Sequence, residues 1–152
     1  MPDLTASILP RLQSHRLGDF VIESGTQGFI YPNYDGYSIL NIPATICKLF
    51  GVPGIGAVPL SEVLITPIRS TGEFRKIILV VIDALALHRL QRWMKDGTTP
   101  VWQGLAEQGL FTALTSIVPS TTSAALTSLW TGRSPAEHAI TGYEMWMKEY
   151  GL

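Results

Sequence analysis

Six consecutive apolar residues, Ile77 to Ile82, stand between Lys76 and a single carboxylate at Asp83. Five of the six are isoleucine or valine within KIILVVID, a run too short for a membrane span and rich in residues suited to a pleated backbone. Unbroken apolarity over such a length, rather than alternation, predicts a strand covered on both faces, as in a parallel sheet. Helical patterns flank it. In ALHRLQRWMKDG, Leu87, Leu90 and Met94 share one face and Gly97 supplies a stop. TPVWQGLAEQG follows, with Thr99 at a cap position, Pro100 at the first helical position and Gly109 at the end. LFTALTSIV predicts a second strand, and the hydroxyl-rich stretch from Pro119 to Gly132 a further helix. Strand, helices, strand, helix is the order of an α/β fold, here a partial, mostly parallel sheet flanked by helices.

The first 75 residues carry weaker signals. Leu4, Ile8, Leu9 and Leu12 predict a short helix within 4–17, limited by Pro10. GTQGFIYPNYDGYS is turn-rich, with Phe29, Tyr31, Tyr34 and Tyr37 expected to pack against the main body. NIPATICKLFG predicts a helix with Asn41 near its cap, Pro43 in its first turn and Gly51 as its stop, and residues 52–60 should be irregular. The expected organisation is one domain: residues 1–75 as a loop-rich and short-helical region packed on a core begun by 76–152.

Charge and cysteine content narrow the partners. A net charge of −1 without a basic run gives no footprint for nucleic acid. The one cysteine, Cys47, excludes an internal disulfide and any multi-cysteine zinc pattern, reads as a buried core thiol, and fits a reducing compartment. With no secretory pattern and no apolar run of membrane-spanning length, the expected setting is cytoplasmic, away from membranes. Charged residues make up only 15 % of 152 residues, so a missing C-terminal half or a partner chain is expected to cover part of the apolar surface.

Two positions draw attention for chemistry. Asp83 ends the predicted strand, where loops and helix starts gather in a parallel sheet, and serves either to cap the next helix or to take a metal or catalytic role. Thr122 stands at the start of the predicted helix, where unpaired amides and the positive end of the helix dipole favour an oxyanion. Its hydroxyl is either a cap or a nucleophile, and as a nucleophile it needs a base or a metal to remove its proton.

VVIDAL and VPSTTSAALTSLWTGRSPAEHAITG, taken together, resemble the N-terminal half of the alkaline phosphatase superfamily, most closely its type I phosphodiesterase / nucleotide pyrophosphatase branch. The resemblance runs over about 76–142 through Asp83, then Thr99, Pro100 and Leu105, then Pro119, Ser120 and Thr122, then Thr131 and Gly132, and last Pro135 and His138. It implies an alkaline phosphatase-like core, a phosphate-ester small-molecule substrate, Thr122 as nucleophile through a phospho-threonine intermediate, and two divalent ions, usually zinc, with Asp83 and Thr122 among their ligands. Sulfatases of that superfamily use a cysteine-derived nucleophile, and no cysteine lies in this segment.

Some positions depart from the pattern. Ala125 stands where nucleotide pyrophosphatases usually place an asparagine that holds phosphoryl oxygens, and Ala139 where many relatives have glycine. His138 reads as a structural hydrogen-bonding residue, Ser134 to Glu137 as a capping box, and His15 and His88 as surface or helix-face residues. Members of the family draw most metal ligands from downstream, and this chain holds three histidines in all. Two zinc centres need about six protein ligands. The expectation is therefore a fragment of a phosphoric-ester hydrolase, inactive alone and not holding both ions; the alternative is a non-catalytic anion-binding or partner-dependent module. A serine hydrolase ranks behind both, since no Gly-x-Ser-x-Gly elbow is present.

Overall fold

The computed structural model describes residues 3–19, 29–146 and 151. The turn glycines Gly25 and Gly28 lie outside these. Helices account for the regular structure: α1 (Thr5–Ser14), a 3₁₀ turn (Ile39–Asn41) running into α2 (Ile42–Phe50), α3 (Glu62–Arg69), α4 (Leu87–Lys95), α5 (Pro100–Gln108), α6 (Thr122–Thr131) and α7 (Pro135–His138). They belong to two compact units. Unit 1 comprises Met1–Tyr31 and Glu62–Leu114, and unit 2 comprises Pro32–Ser61 and Thr115–Leu152.

The expected α/β architecture is not what forms. No strand and no sheet occur among the described residues; isolated parallel bridges join Asp3 to Phe111 in unit 1 and Ser38 to Thr115 in unit 2. The physical reason is that a strand exists only through a neighbour's backbone groups, and 77–82 has no paired neighbour. Its side chains meet solvent instead of a core, with Ile78 87 % and Val80 71 % exposed. The second predicted strand keeps only its period of two. Ala113, Thr115 and Ile117 are buried, while the residues between them are half-buried or exposed.

In unit 1, α1 buries Thr5, Ile8 and Leu12, one face at helical spacing. The Asp3 carboxylate accepts the Thr5 N–H at 2.8 Å, and Pro10 sits within the helix. Helix α3 adds Leu64 and Ile65, fully buried, despite Pro67 inside it. α4 packs against α5 and buries Leu90. The cap position of α5 is Thr99, but its hydroxyl makes no capping bond and is buried without a partner. Gly109, which ends α5, is extended and not left-handed.

Unit 2 is organised by buried polar groups as much as by apolar ones. Asn41 is fully buried: its Nδ2 donates to the Tyr34 and Val58 carbonyls at 2.7 and 2.8 Å, and its Oδ1 accepts the Ser38 N–H at 2.9 Å. One side chain thus satisfies three backbone groups in a turn and an irregular segment that have no ladder to satisfy them. Thr45 continues the pattern, donating to the Asn41 carbonyl and accepting the Leu60 N–H. These bonds hold residues 52–60 against α2. Leu40, Ile117 and Ala124 form the apolar cluster, with α2, α6 and the 3₁₀ turn packed together. Tyr37 is buried here and Cys47 is half-buried on α2; in unit 1, Tyr31 is buried and Phe29 exposed. The Val118–Pro119 peptide bond that precedes α6 is cis.

Candidate functional site

Helix α6 is built so that its hydroxyls do separate jobs. Thr121 is the N-cap, extended at φ −70° and ψ 150°, and its Oγ1 accepts the Ala124 N–H at 3.4 Å while its carbonyl accepts the Ala125 N–H at 2.9 Å. The cap is therefore Thr121 and not Thr122. Thr122 is the first helical residue, exposed, and the amides of Thr122 and Ser123 have no carbonyl one turn back within the helix. Ser123 Oγ donates to the Gly142 carbonyl at 2.6 Å and so ties the start of α6 to the segment beyond α7. Thr127 and Thr131 donate back to the carbonyls four residues earlier.

His138 is held at both ring nitrogens. The Ile140 N–H donates to Nδ1 at 3.1 Å, which leaves the ring proton on Nε2 to be donated to the buried Ser128 Oγ at 3.0 Å. Its role is structural, as its place in the sequence suggested. Ala125 packs against the Leu40, Ile117 and Ala124 cluster, so the position that carries an amide in nucleotide pyrophosphatases contributes apolar contact here.

Gly132 ends α6 in the left-handed region at φ 67°. Its carbonyl accepts the Ala57 N–H at 2.7 Å, and an added Cβ on Gly56 would lie 2.1 Å from that carbonyl oxygen. The Thr131-Gly132 pair thus serves as a helix stop and as the seat of the 52–60 segment. That segment borders a cleft of about 490 Å³ lined by Lys48, Gly54 and Val58 among others, and none of the motif residues lines it.

Beyond Gly132, Ser134 and Glu137 form the expected capping box with Pro135 at the first position. The Ser134 N–H and hydroxyl both donate to Glu137 Oε2 at 2.7 Å. These bonds, the backbone one foremost, hold the Glu137 carboxyl below its ordinary value of 4.5. The contribution of this box to α7 is accordingly full above pH 4.5 and lost as pH falls through the lowered value. The amide resonance of Ser134 should move with a midpoint below 4.5; a midpoint at or above it would show that the box does not form in solution.

Ala139 follows in the left-handed region at φ 61°, the conformation in which glycine is favoured. Ala139→Gly should stabilise the chain by roughly 1 kcal/mol, relief of the Cβ clash being partly offset by glycine's greater backbone entropy. A urea midpoint that stays put or falls would show that the strain is not there.

Asp83 belongs to unit 1, together with Thr99, Pro100 and Leu105. It does not cap the next helix, because α4 begins four residues later and its cap position, Ala86, carries no side-chain bond. The Asp83 Oδ1 instead accepts the N–H of Ala84, which is itself left-handed at φ 57°. Asp83 is exposed, so the desolvation that a carboxylate at a buried strand end would suffer does not arise.

Asp83 and Thr122 are the metal ligands expected from the sequence. Among the described residues no three His, Cys, Asp or Glu side chains come together as a metal-binding group. The described side chains thus do not form a complete two-ion centre. No described helix is long and apolar enough to cross a membrane.

A family profile described as type I phosphodiesterase / nucleotide pyrophosphatase matches residues 77–152. No curated protein and no solved structure matches the chain.

Proposed function

We propose, from the premise that the chain belongs to the type I phosphodiesterase / nucleotide pyrophosphatase family, that it carries the nucleophile-bearing portion of a metal-dependent phosphoric-ester hydrolase, with Thr122 as the phosphoryl acceptor. The observation that carries this reading is the division of labour at the start of α6. Capping falls to Thr121, and Thr122, exposed, occupies the first helical position inside the matched segment.

The chemistry follows from that place. A phosphoryl oxygen beside the first turn is stabilised by the backbone amides that point out of the helix start and by its roughly half-unit positive charge. Thr122 Oγ1 attacks phosphorus, the bond to one leaving alcohol breaks and that alcohol takes up a proton, and water later releases the remaining phosphate monoester from the threonine. The hydroxyl proton must go to a base or be displaced by a cation, and Asp83 is the family-matched ligand for that cation. The family's ions, zinc on this reading, would lower the pKa of the threonine hydroxyl when bound. Substrates of this class are small phosphate esters. Ala125 offers no donor to their phosphoryl oxygens, so the amides of α6 would carry that load. One cysteine and no disulfide suit a cytoplasmic setting.

Because the described residues do not group three ligands, the 152-residue chain alone should hydrolyse a nitrophenyl phosphodiester little or not at all, with or without added divalent ions. Robust ion-dependent turnover by the purified chain would overturn the ligand argument.

A further inference from the structure

The turn that leads into α6 is anchored by a residue far away in sequence. The Val118 N–H donates to Tyr34 Oη at 3.1 Å, across 84 residues. Tyr34 stands outside the matched segment 77–152, yet it belongs to the same compact unit as α6. It is itself held twice. Its carbonyl accepts Asn41 Nδ2 at 2.7 Å, and its half-buried ring packs against the Leu40, Ile117 and Ala124 cluster. A tyrosine fixed at both main chain and ring has two side-chain torsions and little freedom left in either, so its hydroxyl is a fixed point at the edge of the core.

The bond to Val118 is the last of a series. The Thr115 N–H donates to the Tyr37 carbonyl at 2.8 Å, the Ile39 N–H to the Thr115 carbonyl at 3.0 Å, and Ser38 Oγ to the Ser116 carbonyl at 3.4 Å. Beyond Val118, Pro119 has no N–H, and among the described residues no bond from another segment reaches Pro119, Ser120 or Thr121. The next fixed points are Ser123, bonded to the Gly142 carbonyl, and Ala124, fully buried in the cluster. The backbone from Pro119 to Thr121 is therefore set by its two ends. Val118 is 48 % exposed, so its amide could turn to water at small cost in stability. What the bond to Tyr34 supplies is direction.

From these observations we infer that Tyr34 is a positioning residue for the turn that carries the phosphoryl acceptor: its hydroxyl fixes the Val118 amide, and through it the place where Thr122 and the first-turn amides of α6 meet an oxyanion. The inference rests on the reading of Thr122 as that acceptor. A displacement of about 1 Å at a reacting group is enough to cost roughly a hundredfold in rate, which is why an anchor outside the turn matters.

Nuclear magnetic resonance on the full 152-residue chain tests this, with inorganic phosphate as the probe and far-UV circular dichroism confirming that each variant is folded. In the unaltered chain the Val118 amide should exchange about tenfold more slowly than that of Ser120, and phosphate should shift the amide resonances of Thr122 and Ser123. Tyr34→Phe keeps the ring and removes the acceptor. It should speed exchange at Val118 about tenfold and weaken phosphate binding at Thr122 and Ser123 about threefold or more. Tyr37→Phe is the control, because it removes a different hydroxyl of the same unit, one that donates to Ser61 Oγ at 2.9 Å, and it should leave phosphate binding unchanged. Phosphate binding that ignores Tyr34→Phe overturns the inference and leaves the reading of Thr122 standing, as does equal weakening by Tyr37→Phe, which would reduce Tyr34 to a general support. Fast exchange at Val118 in the unaltered chain also overturns it, and does so even where Tyr34→Phe does not fold. Phosphate that shifts no amide of Thr122 or Ser123 in the unaltered chain removes the oxyanion seat itself, and the inference with it.

Discussion

Gly56→Ala is expected to be the most destabilising of the small substitutions in unit 2, by about 3 kcal/mol or more. Two costs combine. Gly56 has φ 65°, a left-handed conformation in which a β-carbon costs about 1–2 kcal/mol. The new β-carbon would also lie 2.1 Å from the Gly132 carbonyl oxygen, which is backbone and cannot swing aside like a side-chain tip. Moving it would stretch the 2.7 Å bond from the Ala57 N–H and loosen the end of α6. A loss of this size is a large share of the 5–15 kcal/mol by which a folded domain exceeds its unfolded state. Gly54→Ala is the control two residues away, because its added β-carbon meets nothing within 4 Å and its φ is not in the left-handed range. Thermal melts of the two variants should separate widely; a shared midpoint would show that the 52–60 segment does not seat on Gly132.

The second large effect concerns Thr122. In a longer protein that carries these residues and the remaining metal ligands, Thr122→Ala should lower phosphodiester turnover about a thousandfold or more, the scale seen when a nucleophile is deleted. Ser120→Ala should spare most of the activity. Thr121→Ala separates chemistry from folding: it removes the Oγ1 that accepts the Ala124 N–H and should cost about 1 kcal/mol of stability, with turnover largely kept at temperatures where the protein stays folded. The reverse pattern, with Thr121 essential and Thr122 dispensable, would move the nucleophile by one residue. The same scan tests the division of labour at α6, which follows from backbone conformation. Thr121 at ψ 150° is the last residue before the helix turns, so its side chain reaches over the first turn to the Ala124 N–H.

Local signals in the sequence were legible and non-local ones were not. Helices α2, α5 and α7 begin with proline in the first turn, and α2 and α6 end at Gly51 and Gly132, because a restricted φ or a left-handed stop is decided by the residue itself. The run 77–82 has a pattern suited to a buried strand, yet burial and pairing need other segments to arrive, and none does among the described residues. α3 escaped notice because Pro67 discourages a helical reading, although Leu64, Ile65 and Ile68 have helical spacing. The hub at Asn41 was also hidden. An asparagine before a proline-led helix reads as a cap, and nothing local reveals that its amide reaches the Val58 carbonyl.

The candidate site divides along the same line. The order of Asp83, Thr122, Gly132 and His138 led to the family, and the profile over 77–152 agrees with it. Which hydroxyl caps α6 depended on a one-residue difference in where the helix starts, and the sequence allowed either the cap or the first turn for Thr122. Asp83 looked like a helix cap or a ligand; three residues separate it from α4, which removes the first role. Glycine at position 139 in many relatives and alanine here marked a real feature, a left-handed residue at the end of α7.

The most direct measurement is the location of the phosphate. A longer protein carrying residues 1–152 would be supplied with divalent ion and a phosphodiester, stopped in acid within its first turnovers, digested, and mapped by fragment mass spectrometry. The substrate's phosphoryl group, still carrying its second ester, on Thr122 is the predicted result. The same adduct on Ser120, Thr121 or Ser123, or turnover that never labels the protein, would contradict the assignment.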